Sequence, residues 1–413
     1  MKKDVIWGLL DQVLQSVMNL AVGILLIYFA AKEEYGLYGV GFATLLLLVG
    51  FSNAVVSTQM TVIAPTKEDQ EQEIFCASLI IGFFKLLIPL SILICLSLMA
   101  LSRVYEFSCY IELVYIIALI SPPVIFLEIM RRYFYLKLKP MSVFLMGLVY
   151  VSLYLTVLLW AFFTKQTSLH LYALSANGLA AFIAASLFFF FFSDMKIKGA
   201  YKISSDSLKE SWKDGKWALG GVLVTWGQIQ GYVYVLALIQ GSAMVAEANA
   251  ARLFLAPMNV LSTSFTKVIM PRLVRLKINN QRRQAVSMAR KILFIMISII
   301  ILYSFAIILT KDFIFKFLSK EYIYIEILIY FWSVFFMCQA FRINNSILLQ
   351  AFRMFKDITL CNLVTVVLVL VGGLWVVQYY SVQGLIVVMS IGELLLATML
   401  WFIFNKKKDT IIN

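Results

Sequence analysis

The chain has 413 residues, 62% of them hydrophobic and only 14% charged, and its mean hydropathy is +0.90. This composition excludes an ordinary water-soluble domain, which needs far more polar side chains to cover its surface. The formal charge of +13 is spread over short segments between apolar stretches, so it reads as a topology signal and argues against a nucleic-acid patch.

Twelve apolar stretches follow one another, each long enough for the roughly 30 Å hydrocarbon core of a bilayer. Runs this continuous are helices, because only a helix satisfies its own backbone in lipid. The first, Ile6–Ala31, carries Asp11, Gln15 and Asn19 at i, i+4 and i+8, with Gln12 and Ser16 on the same arc. It is too long and too polar for a signal-peptide core, so it reads as an uncleaved span. Asp11 is open to two readings, a proton- or cation-linked site or an arginine-paired packing residue. The second span, Leu37–Ile63, starts after Glu34-Tyr-Gly-Leu-Tyr-Gly and ends at Ala64-Pro65. Lys85 stands alone in the third, Phe75–Leu101. The fourth, Ile111–Met130, exits through Glu128, Arg131 and Arg132, a local charge pair near an interface. The fifth and sixth are Ser142–Phe163 and Leu169–Phe192, and the sixth holds the single histidine, His170, which excludes a His-based metal site.

Met195–Lys216 is the longest hydrophilic connection and mixes both signs of charge. It divides the chain into a first lobe of six spans (residues 1–193), a linker (194–216) and a second lobe of six (217–413). The seventh span, Trp217–Ile239, presents Thr225, Gln228 and Tyr232 on one face. Trp226, Tyr232 and Tyr234 also offer rings on which sugars could stack. The eighth, Met244–Ile269, is the most polar: Asn249, Arg252, Asn259, Ser262, Thr263, Thr266 and Lys267 share one side at 100° per residue. Pro257 lies within that stripe and should loosen or kink the helix. Ser and Thr serve routinely as polar glue between spans; a lone guanidinium needs water, an anion or a carboxylate. The ninth to twelfth spans are Ile292–Leu309, Ile325–Leu349, Ile358–Val377 and Val382–Phe404, with Arg342 in the tenth and an isolated Glu393 in the twelfth.

Lys and Arg crowd alternate loops. One side holds Lys2, Lys3, Lys67, Arg131, Arg132, Lys137, Lys139, the linker lysines, the block Arg272–Lys291, Arg353, Lys356 and Lys406–Lys408. The other holds only Lys32, Arg103, Lys165, Lys311, Lys316 and Lys320. The excess, about four to one, puts the rich side and both termini in the cytoplasm. The five cysteines lie in or at the ends of spans with no metal or disulfide spacing. No phosphate-binding Gly-rich Lys-Ser/Thr loop is present, and the outer loops run to about 10 residues, too short for the catalytic loops of membrane polymerases or ligases. The sequence therefore reads as an all-α polytopic carrier and not an enzyme.

The two halves show a weak repeat. The step into span two resembles Ala246-Glu-Ala-Asn-Ala-Ala entering span eight; Ala64-Pro65 matches Met270-Pro271, and the exits at Arg131 and Arg353 correspond. With the pattern Ala250-Ala251-Arg252-Leu253, the basic run after Pro271 and the twelve spans, the whole chain resembles a Wzx-type polysaccharide flippase of the multidrug/oligosaccharidyl-lipid/polysaccharide (MOP) exporter superfamily. The resemblance implies a V-shaped carrier of two six-helix lobes in a bacterial inner membrane. Spans 1, 2, 7 and 8 would line its cavity. Its cargo would be an undecaprenyl-diphosphate-linked oligosaccharide, the repeat unit of an O-antigen or capsule. Membrane lipid, a polysaccharide polymerase and a chain-length regulator would be its partners, and no cofactor is implied. In that frame Arg252, with Lys85 and Lys267, would attract the diphosphate. Asn249, Asn259, Thr263, Gln15, Asn19, Thr225, Gln228 and Tyr232 would contact sugars, and Asp11 or Glu393 would couple an ion. The alternatives are a cation-coupled drug exporter of the same superfamily, which would need an acidic cavity, and a membrane polymerase or ligase.

Overall fold

The computed structural model describes residues 2–101, 109–279, 281–310, 322, 324–352 and 354–406, and every regular element among them is helical. Arg103, Lys311, Lys316, Lys320, Arg353, Lys407 and Lys408 lie outside the described residues. So do the side chains of Lys2, Lys3, Thr263, Lys267, Lys277 and Arg282. Ten helices among the described residues are long and apolar enough to cross a membrane. The chain is a multi-pass membrane protein. In order the helices are α1 (Lys2–Phe29), α2 (Lys32–Ser52), α3 (Thr58–Ile63), α4 (Asp69–Leu101), α5 (Cys109–Leu136), α6 (Pro140–Phe163), α7 (Leu169–Phe192), α8 (Ala200–Ile239), α9 (Ser242–Phe254), α10 (Ala256–Ile278), α11 (Arg282–Leu309), α12 (Ile325–Ala351) and α13 (Phe355–Lys406).

Two local features explain why twelve expected spans become ten long helices. α13 holds the eleventh and twelfth spans, which meet at Ser381 with non-helical φ 52° and ψ −149°. That conformation is unfavourable for a residue with a Cβ. It is held from both sides: Ser381 Oγ donates to Gln240 Oε1 at 2.8 Å, and Gln240 Nε2 donates to the Val377 carbonyl at 3.1 Å. The eighth span is instead two helices, α9 and α10. Proline lacks the N–H that continues a helix, and its ring clashes with the preceding turn. α9 accordingly closes at Leu255 (φ −96°, ψ 3°), and Pro257 falls in the first turn of α10, where proline is tolerated. The Phe254 carbonyl freed by the break accepts a hydrogen bond from Tyr303 Oη at 2.9 Å.

The second span also departs from a plain helix. A π-turn, Asn53–Ser57, follows α2, and a 3-10 turn, Ala64–Thr66, closes the segment at Pro65. Single π-turns of this kind recur at functional positions in helices.

The chain divides into two compact units, Met1–Leu223 and Val224–Asn413. In the first, α5 packs against α2, α4, α6 and α7, and α7 also packs against α2 and α6. α7 approaches closely because its buried face is built from Ala173, Ala180, Ala181 and Ala184. At Gly178 an added Cβ would lie 2.6 Å from Ile120 Cβ. Small residues drive association of spans where lipid gives no hydrophobic bias.

The hydrophilic segment after span six is largely helical, since α8 runs unbroken from Ala200. Its first half belongs to the first unit. Ala200, Ser204, Ser207 and Ser211 recur at helical spacing and are buried. Ser78 Oγ and Ser207 Oγ are 2.7 Å apart, and Ser211 bonds the Val55 carbonyl within the π-turn. In the second unit α12 is central, touching α9, α10, α11 and α13. Trp332, Phe335 and Phe336 are its buried aromatic core.

Candidate functional site

Arg252 lies in the last turn of α9, just before the break. A cation is favoured there by the exposed carbonyls of a helix C-terminus. Arg252 Nη1 donates to the Ile229 carbonyl at 3.3 Å and to Tyr232 Oη at 3.0 Å. Tyr232 in turn donates to Asn249 Oδ1 at 2.5 Å. The guanidinium carbon is 5.3 Å from the Tyr232 ring centroid and 5.2 Å from that of Trp332, within cation–π range. Trp332 is itself fixed, its Nε1 donating to the Ala248 carbonyl at 3.0 Å. Arg252 is half-buried. Among the described residues only Nη1 is hydrogen-bonded, and no carboxylate pairs with the group. A guanidinium has five N–H donors. Here it is oriented by neutral groups and keeps both its charge and unused donors, which is the requirement for binding an anion.

The first unit holds its arginine differently. Arg131 Nη2 meets Asp11 Oδ2 at 2.7 Å, and Arg131 Nη1 lies 3.7 Å from Glu128 Oε1. Tyr135 Oη donates to the same Asp11 oxygen at 2.9 Å. Asp11 is buried between α1, α5 and α6. The other carboxylate oxygen, Oδ1, and Gln15 Nε2 have no hydrogen-bond partner among the described residues, and both face the hollow left by Gly147. A Cβ there would stand 3.1 Å from Asp11 Oδ1.

The remaining sequence candidates fall into three groups. Tyr232 and Asn249 join Arg252, and Gln15 joins Asp11. Lys85 and Glu393, solitary in their own spans, have partners from elsewhere. Lys85 Nζ donates to Ser204 Oγ at 2.6 Å and to the Tyr201 carbonyl at 3.2 Å, and sits 3.5 Å from the Tyr201 ring centroid. Glu393 Oε2 accepts from Arg342 Nε at 2.5 Å. Thr225 and Asn19 are exposed, Asn259 is half-buried on α10, and Gln228 Nε2 donates to the Asn362 carbonyl at 3.4 Å. The side chains of Thr263 and Lys267 lie outside the described residues.

Sequence reasoning missed four polar groups, of which Glu247, Glu73 and Asn177 are buried and Glu34 is half-buried. Glu247 is wholly buried, five residues before Arg252 on α9. It was legible as an acid inside the eighth span but was read only as part of a repeat. Glu34 lies 4.0 Å from His170 Nδ1 and accepts from the Leu169 amide at 3.2 Å. Glu73 pairs with Lys137 and accepts from Tyr133 Oη at 2.8 Å. Asn177 accepts from Tyr150 Oη at 3.1 Å. Glu34 and Glu73 sit at span ends, where a charge carries no hydropathy penalty and so draws no attention. No group of three or more metal-binding side chains occurs among the described residues.

No protein-family model and no curated protein matches the chain. Solved structures do. An inward-facing multidrug resistance MATE family transporter of the MOP superfamily matches with a TM-score of 0.77 at 13% identity, covering 98% of each chain. The lipid II flippase MurJ, in an inward closed conformation, matches with a TM-score of 0.74 at 15% identity, over 97% of this chain and 87% of the other. A MOP superfamily transporter from Pyrococcus furiosus gives 0.62 at 15% identity, over 99% and 95%. Likeness over the full length at such identities establishes architecture, and the chain has the fold shared by these MOP superfamily transporters.

Proposed function

We propose that this protein is a flippase that carries an undecaprenyl-diphosphate-linked oligosaccharide, the repeat unit of a surface polysaccharide, from the cytoplasmic to the outer leaflet by alternating access. The observation that carries the reading is Arg252, a half-buried cation oriented by a carbonyl, a phenol and two aromatic faces, with donors left over. That arrangement suits a diphosphate, with the half-buried Asn249 beside it as a hydrogen-bonding group for sugars and the buried Tyr232 and Trp332 holding the guanidinium in place. The fold supports the reading, because it is shared with a protein described as a lipid II flippase. In this reading Lys85 and Lys267 are secondary cations, and Gln15, Asn19, Thr225, Gln228, Asn259 and Thr263 are further polar contacts. Ion coupling is assigned to Asp11 or Glu393, both buried carboxylates.

A cation-coupled exporter of small molecules is the second reading, favoured by the equally complete match to a multidrug resistance transporter and by the buried acid Glu247. The leaflet on which repeat units accumulate separates the readings. Cells lacking the protein should hold lipid-linked repeat units on the inner leaflet, sealed from an externally added glycan-oxidising reagent. Units exposed outside would point to a polymerase or ligase, and no accumulation at all to the exporter.

A further inference from the structure

The second unit contains a cavity of about 540 Å³ among α11, α12 and the second half of α13, whose lining shares no residue with the Arg252 cluster. Its wall is mostly apolar, and Phe341, Leu394 and Phe402 on its rim are exposed, so the cavity is open-sided toward the surroundings of the unit. On a membrane-spanning unit such an open apolar side has the form a lipid chain fits. One end carries Arg290, an exposed member of the basic block that the Lys/Arg asymmetry assigns to the cytoplasmic face. No ion pair engages Arg290 among the described residues. Deeper in, the groove is lined by the Asn344 and Asn345 side chains. The amide of Asn345 is committed to the Ala397 carbonyl at 2.9 Å.

We propose that this groove binds one anionic phospholipid of the cytoplasmic leaflet, its phosphate on Arg290 and an acyl chain along the apolar floor. Basic pockets between spans on the cytoplasmic side are a recurring way of holding lipid phosphates. The single cation at the mouth matches a phosphodiester. The polar lining deeper in separates a phospholipid from a polyprenyl phosphate: Asn344 needs a hydrogen-bonding partner when lipid covers the groove, and an ester carbonyl supplies one where an isoprenoid chain does not. The proposal is independent of what passes Arg252.

Native mass spectrometry of the full-length protein in detergent tests it, with phosphatidylglycerol, phosphatidylcholine and undecaprenyl phosphate as added probes. Phosphatidylglycerol should bind about tenfold more tightly than phosphatidylcholine, because both offer a phosphodiester to Arg290 but choline neutralises its own phosphate and repels the guanidinium. Arg290→Gln should remove that preference, while Arg283→Gln, outside the groove on the same helix, should keep it. Thr398→Trp fills the groove from an exposed position and should lower binding of both phospholipids without changing the elution profile. Equal binding of both phospholipids by the unaltered protein, or an undiminished preference in both Arg290→Gln and Thr398→Trp, would overturn the proposal. So would displacement of phosphatidylglycerol by equimolar undecaprenyl phosphate in an Arg290-dependent manner.

Discussion

Arg131 in the first unit and Arg252 in the second are both half-buried, and the two are treated in opposite ways. Arg131 in the first unit is flanked by Asp11 and Glu128 and capped by a tyrosine that shares the Asp11 oxygen. Arg252 in the second is held by a carbonyl, a phenol and two rings. The first cation is neutralised by its own protein and clasps α1 to α5. The second has its orientation fixed but its charge left uncompensated by any described carboxylate. A half-buried guanidinium thus reports little by itself. The sign and number of its partners decide whether it closes a fold or waits for an anion.

The largest expected effect of breaking this contrast is on transport. Arg252→Glu should reduce surface polysaccharide to the level of a deletion while membrane abundance stays normal. Arg252→Lys should retain about a tenth of wild-type export, because an ammonium keeps the charge and loses the fork. Surface polysaccharide and immunoblots of membranes measure both, and normal export by Arg252→Glu would remove Arg252 from the pathway.

Stability should show the reverse ranking. Asp11→Ala leaves the half-buried Arg131 beside one distant carboxylate and should cost about 3–5 kcal/mol, with much of it regained in the double variant Asp11→Ala/Arg131→Ala. Arg252→Ala orphans no buried counter-charge and should cost only about 1 kcal/mol through its lost ring contacts. Thermal unfolding of the purified proteins in one detergent compares them. Equal losses for the two single variants would erase the distinction between clasp and open cation.

Tyr232→Phe sharpens the second site. It keeps the ring that faces Arg252 and removes the hydroxyl that links Arg252 to Asn249. A lost hydrogen bond of about 1 kcal/mol predicts export reduced roughly three- to tenfold with stability nearly unchanged. Full activity would show that the ring alone orients the guanidinium.

The smallest effect belongs to the Ser381 corner. Glycine would relieve a positive φ but surrender the bond to Gln240, so Ser381→Gly should stay within about 1 kcal/mol of wild type in the same unfolding assay. A large loss would make the Gln240 clasp, not backbone geometry, the main feature of that turn.

Much of the architecture could be read before any coordinates. Long apolar runs determine spans without reference to partners, and Pro257 announced the interruption of the eighth. The continuous α8 was not legible, because its buried face is serine and alanine, which hydropathy scores as neutral. Partners across spans were hidden for a different reason. Asp11 and Arg131 are 120 residues apart, and nothing in local periodicity specifies which faces of α1 and α5 meet. The same holds for Arg342 with Glu393 and for Lys85 with Tyr201. The Arg252, Tyr232 and Asn249 grouping was half visible: each lay on a polar face of its own span, but the hydrogen bonds joining them depend on how α8 and α9 pack.

The central claim is that a cation left open in the second unit conducts a diphosphate-linked oligosaccharide across the bilayer. Reconstituting the purified protein into vesicles loaded with a labelled undecaprenyl-diphosphate oligosaccharide, and following its arrival in the opposite leaflet, measures this directly. The account predicts leaflet exchange well above protein-free vesicles for the wild type, and a return to that background for Arg252→Glu at equal reconstitution. Exchange by Arg252→Glu at the wild-type rate would contradict it.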